Sequence, residues 1–131
     1  MKGEREALTG SEEIDLSWQK VYVAGPMRGQ PLLNRPAFFA AEAYLQAQGA
    51  WVMHPALLPD GWEFDSYLRI TTQMLMECEV VAFLPGWQQS EGARKHFTRA
   101  HAFGMTLLQL DMTVLTGAPL IMQHAPLVVK T

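Results

Sequence analysis

Residues Lys20 to Pro31, KVYVAGPMRGQP, place an apolar run directly before a glycine-rich turn that carries one arginine. Gly25 and Gly29 allow positive φ and close backbone approach, so Gly25, Pro26, Met27 and Gly29 can aim amide or carbonyl groups at a ligand while Arg28 offers a planar charged fork. The chemistry this implies is capture of a phosphate or another oxyanion. The same residues also fit a surface turn with a solvated arginine. Two sharper readings are excluded, because the stretch has neither the GxGxxG dinucleotide fingerprint nor the GxxxxGK[ST] phosphate loop.

Histidines and the cysteine are the other groups able to do chemistry. His96 and His101 are five residues apart, about 140° around a helix axis, and so do not share a metal. His54 and His124 show no ligand spacing, and neither a metal nor a cofactor is expected. Cys78 stands alone, cannot form an internal disulfide, and reads as a small buried hydrophobe.

These groups must be positioned by one domain, since 131 residues bury a continuous core but not two. No uncharged apolar run approaches the ~20 residues of a membrane span, so no membrane partner is expected. The N-terminus has mixed charge and no apolar stretch of the secretory kind, which points to the cytoplasm. A net charge of −3 argues against generic nucleic-acid binding.

Along the chain, residues 1–18 read as an N-terminal arm, 19–111 as the α/β domain and 112–131 as an edge strand or oligomer contact. Lys20–Ala24 is a β-branched and aromatic strand, with Tyr22 at its centre. Asn34-Arg35-Pro36 opens a helix that Gly49 ends, and Ala50–Met53 is a second strand closed by His54-Pro55. Pro59-Asp60-Gly61 marks a turn, near which Trp62 can cover a pocket. Asp65 or Ser66 caps a second helix with Tyr67, Ile70, Met74 and Cys78 on one face and Thr71 on the same side. Val80–Leu84 reads as a central, doubly buried strand. Ser90-Glu91-Gly92 then opens a third helix with Ala93, Phe97, Ala100 and Phe103 apolar, and Met105–Leu110 is a fourth strand. This alternation predicts a mainly parallel sheet of about four or five strands with helices on both faces, and ligands beyond the strand carboxyl ends.

With these turns collected, the chain resembles the nucleoside 2-deoxyribosyltransferase superfamily, and within it a small-domain branch, the DUF4406 type, found in bacteriophages and bacteria. The resemblance rests on VYVAGPMRG at 21–29, NRPAFFAA at 34–41, VMHPA at 52–56 and CEVVAFLPGWQQSEGA at 78–93. It implies a flavodoxin-like, Rossmann-like three-layer domain that assembles as homodimers or higher homo-oligomers and binds a nucleoside or nucleotide. Carried over, the turn from Gly25 to Gly29 would hold the sugar or its 5′-phosphate, with Arg28 near the anion. Ser90 and the helix start at Glu91 and Gly92 would face the same place, and Trp87 or Trp62 would stack on a base or else pack structurally. Tyr22 and His54 would complete the ligand site.

The departures from that pattern concern catalysis. In the active relatives a glutamate six residues after the Ser90 position attacks the anomeric carbon, and here that position is His96. An aspartate eight residues before the Glu79 position handles the base's proton, and here that position is Thr71. Neither replacement supplies the missing charge. His96 can act toward water, contact a ligand phosphate, or be a partly buried helix residue; Arg94, Lys95, Arg99 and His101 make its surroundings basic. Three functions follow as expectations: a nucleotide-binding domain without the usual carboxylates; an active N-glycosidic hydrolase or 2-deoxyribosyltransferase using displaced residues such as Glu91, Asp65 or Glu63; or a non-catalytic assembly protein.

Overall fold

A computed structural model describes residues 15–110 and 122–124. Strand β1 (Lys20–Ala24) is buried on both sides from Val21 onward, which explains the unbroken apolar run Val21–Ala24. Val21 and Val23 pack with Phe38, Ala41 and Leu45 of helix α1 (Arg35–Ala47). Tyr22 and Ala24 point to the opposite face, among Leu75 of α2 (Phe64–Met76) and Ala93 and Ala100 of α3 (Glu91–Ala102). Two helix layers therefore sandwich one sheet.

With β2 (Trp51–Met53), β3 (Val80–Phe83), β4 (Thr106–Leu110) and β5 (Met122–His124), the sheet has the order β2-β1-β3-β4-β5. The first four strands are parallel and β5 pairs antiparallel with β4, Leu110 opposite Met122. This is a flavodoxin-like α/β domain. The chain leaves β1 for β2 on one side and returns to β3 on the other, so the crossovers diverge beyond the ends of β1 and β3, the place where open α/β sheets bind ligands. No helix among the described residues is long and apolar enough to cross a membrane.

Several details differ from the sequence expectations. Packing extends upstream to Leu16, which is buried in the α1-side core. Residues 1–14 of the expected arm, and 111–121 and 125–131 of the expected C-terminal segment, lie outside the described residues. Helix α2 starts at Phe64 with Glu63 as its cap residue, so Asp65 falls in the first turn and not at the cap. Its buried row is Thr71 and Leu75, and Ile70 is 42% exposed. In α3 the inward row is Ala93, His96 and Ala100, while Phe103 lies past the helix end in solvent. Two alanines let α3 approach the sheet closely, and the histidine between them fills the space that remains.

Ahead of α1, Leu32, Leu33 and Asn34 all adopt left-handed backbone conformations. Each costs about 1–2 kcal/mol for a residue with a Cβ. Asn34 Nδ2 offsets part of this by donating to the Pro26 carbonyl at 2.9 Å. Arg35 next to it pairs with Asp60, tying the loop after β2 onto α1.

Candidate functional site

The turn after β1 is built differently from an open glycine cradle. At Gly25 a Cβ would lie 2.8 Å from the Leu84 Cβ and 2.9 Å from its Cδ1, so this glycine is required where the ends of β1 and β3 meet. Pro26 is buried and Met27 packs toward α1. The turn closes with Gln30 N–H donating to the Met27 carbonyl at 3.1 Å, and Gly29 takes a φ of 80° on the open side.

Arg28 projects from that turn over the strand ends. Its guanidinium carbon lies 4.3 Å from the centroid of Phe64, the first residue of α2. Its Nη2 lies 3.7 Å from Glu91 Oε1, at the first residue of α3. Each contact is worth roughly 0.2–1 kcal/mol at an exposed position, enough to orient the side chain and too little to fix it. Ser90 caps α3 by accepting from Ala93 N–H at 3.1 Å, which still leaves its hydroxyl proton available. At Gly92 a Cβ would stand 3.7 Å from Phe64, an ordinary contact. Arg28, Ser90, Glu91 and Gly92 thus come together at the strand ends.

Beneath them lies a buried polar group. Thr71 Oγ1 and His96 Nε2 are 2.9 Å apart, and both residues are about 5% exposed or less. Tyr22 shares a hydrogen bond with Thr71 and meets the His96 ring edge-on at 5.2 Å. Burial raises the Tyr22 phenol above the ordinary tyrosine range, so it keeps its proton near pH 7. Thr71 has a single proton, and both the Leu68 carbonyl at 3.4 Å and His96 Nε2 at 2.9 Å are within its reach. Burial, helped by the Arg99 charge, lowers His96 to about 4, so the imidazole is neutral near pH 7. Tyr22 supports the site from below and is wholly buried, so it does not line it as the ligand expectation had it.

Two other expected ligand residues sit elsewhere. Trp87 turns back into the core against Phe83 and Phe97, with ring centroids at 4.7 and 5.3 Å, so it presents no face to a base. Its indole Nε1 has no partner among the described residues. His54 is fully buried on the α1 side, stacked on Phe38, with Nε2 2.7 Å from Glu42 Oε1. Burial outweighs the pull of the carboxylate and lowers its pKa, so His54 donates to Glu42 as a neutral ring. Trp62 is 43% exposed, but it lies over Tyr67 at the edge of a groove of about 460 Å³ on the outer side of α2.

Glu63 and Asp65 are exposed at the start of α2. Arg94 donates to the Gln88 carbonyl, and Lys95, Arg99 and His101 are exposed, so most of the basic run is a solvated helix face. No cluster of three or more metal-ligating side chains occurs among the described residues. Sequence reasoning missed Phe64 and Glu42, both of which act through contacts distant in the chain.

The class defined here is a flavodoxin-like domain with an exposed Arg28–Glu91 pair and a neutral buried triad at its switch point. The chain belongs to the family described as Domain of unknown function (DUF4406), whose profile matches residues 19–109. No curated protein matches it. Among solved structures it is similar to a conserved protein from Enterococcus faecalis V583, at 17% identity and a TM-score of 0.54, over 71% of this chain and 63% of that one. The chain therefore spans less than two thirds of that protein's length, and the likeness concerns the fold alone.

Proposed function

We propose that this chain binds a nucleoside- or nucleotide-type ligand beyond the ends of β1 and β3, in a crevice of the deoxyribosyltransferase kind, without that superfamily's glycosidic chemistry. The observation that carries the reading is the Thr71–His96 hydrogen bond. The two positions where the resemblance expects carboxylates hold neutral groups that satisfy one another. The Nε2 of His96, the candidate nucleophile at these two positions, is engaged by Thr71 Oγ1 at 2.9 Å. Neither group supplies the negative charge that an oxocarbenium-like transition state needs. Loss of a covalent nucleophile costs about 10⁴–10⁶ in turnover. Binding is supported by Arg28 and the Ser90 hydroxyl, which stay at the strand ends where ligands of open α/β sheets sit.

The test is a panel of ribo- and deoxyribonucleosides and their 5′-monophosphates, scored for thermal stabilisation and for base release by chromatography. Stabilisation without base release is expected. Base release would move the chemistry to Glu91, Asp65 or Glu63, and an inert, unstabilised protein would leave an assembly role. The reading extends to a homodimer or larger homo-oligomer, for which the exposed pair Trp18 and Trp51, with ring centroids at 5.7 Å, is surface that a second subunit would cover. Light scattering gives the mass directly.

A further inference from the structure

We infer that Glu91 sets the charge that this crevice admits, by holding Arg28 as an internal substitute for the ligand's anionic group. The inference rests on the binding reading above and deepens it. Arg28 is the cation that the β1 turn carries to the strand ends, and its Nη2 is 3.7 Å from Glu91 Oε1 while its guanidinium carbon lies 4.3 Å from the Phe64 ring centroid. Three elements meet in that contact: the turn after β1, the start of α2 and the start of α3. The strap thus lies across the switch point.

The Glu91 carboxylate has the same charge and donor-accepting geometry toward a guanidinium as a phosphate oxygen. An incoming anion must displace it and then tolerate a carboxylate that remains nearby. A neutral nucleoside meets no such penalty. Both side chains are more than half exposed, at 68% and 53%, and Gly29 gives the turn a conformation with no steric neighbour, so Arg28 can swing without disturbing the core. Phe64 keeps the guanidinium plane oriented when Glu91 lets go, which makes the strap reversible.

The experiment titrates inorganic phosphate into the protein and its variants, following the backbone amide resonances of Gly29 and Gly92, which every variant retains. Glu91→Gln is expected to bind phosphate about two- to fivefold more tightly than the wild type, the size of losing one nearby like charge at an exposed position. Combining it with Arg28→Ala should abolish the gain. Equal or weaker phosphate binding by Glu91→Gln, including no measurable binding in either form, would overturn the inference, because Glu91 would then be either irrelevant or a ligand contact. A gain for phosphate, with no member of the nucleotide panel bound by either form, would sustain the Glu91 role while removing the nucleotide reading.

Discussion

Thr71 Oγ1 and His96 Nε2 face each other at 2.9 Å across the gap between α2 and α3, directly above the ring of Tyr22. Three side chains from three elements form one hydrogen-bonded unit with almost no access to water. Replacing the hydroxyl by a methyl of the same shape in Thr71→Val leaves the His96 nitrogen and the Tyr22 hydroxyl without that partner. The expected loss is about 1–3 kcal/mol of folding stability, the cost of a buried unsatisfied polar group. Urea denaturation measures it, and a cycle with His96→Leu should show that the second substitution costs less once the first is present.

His96 also fixes a pH dependence. In the folded chain it takes up a proton only near pH 4, whereas the unfolded imidazole does so near 6.5. Between these values the unfolded state binds more protons, so stability rises with pH, is complete above about 6.5, and falls as the pH drops toward 4. The amount is on the order of 3 kcal/mol. His54, also lowered by burial, adds to the same slope. Chemical denaturation at several pH values between 4 and 7.5 is therefore compared for the wild type and His96→Gln, which should have the flatter profile.

At Gly25 the constraint is steric. A methyl group there would overlap Leu84 at 2.8–2.9 Å, and Leu84 is itself fully buried between the ends of β1 and β3. Gly25→Ala should cost about 1–3 kcal/mol through overpacking. Leu84→Ala alone should cost about 2–5 kcal/mol through the cavity it leaves. In the double variant the overlaps with Leu84 Cδ1 and Cγ disappear while the Cβ contact at 2.8 Å remains, so the combined loss should fall only modestly below the sum, as thermal denaturation of the four proteins would reveal.

Much of this architecture is legible in the sequence, because doubly buried strands such as Val80–Leu84 have no polar residues and glycines such as Gly49 and Gly104 mark helix ends. The parallel order follows from the helices that separate the strands. What the sequence hides is rotation and long-range contact. Ala93, Phe97 and Ala100 repeat at helical spacing, yet the row facing the sheet runs through His96, a polar residue whose partners come from β1 and α2. Trp87 follows the turn signal Pro85-Gly86, yet the 3₁₀ turn there curls its ring back onto Phe83. His54 owes its burial to Phe38, Phe39 and Glu42, all on α1. Nothing local to His54 distinguishes it from a ligand-facing histidine.

The Thr71–His96 pair finally offers a direct test of whether chemistry alone separates this crevice from an active one. Thr71→Asp with His96→Glu would place two carboxyl groups where a threonine and a histidine now touch, a carboxyl pair of the kind that retaining glycosidases use. In so buried a place both cannot ionise, so one keeps its proton and serves as the acid while the other is free to attack. Tyr22 below keeps its proton and can donate it to the ionised group. The double variant is expected to melt at a lower temperature than the wild type and to release base from 2′-deoxynucleosides at a rate that chromatography detects, with each single variant near background. A folded double variant that releases nothing would mean that the space above Tyr22 does not admit a sugar, and the ligand would then have to bind higher, against Arg28 and Ser90 alone.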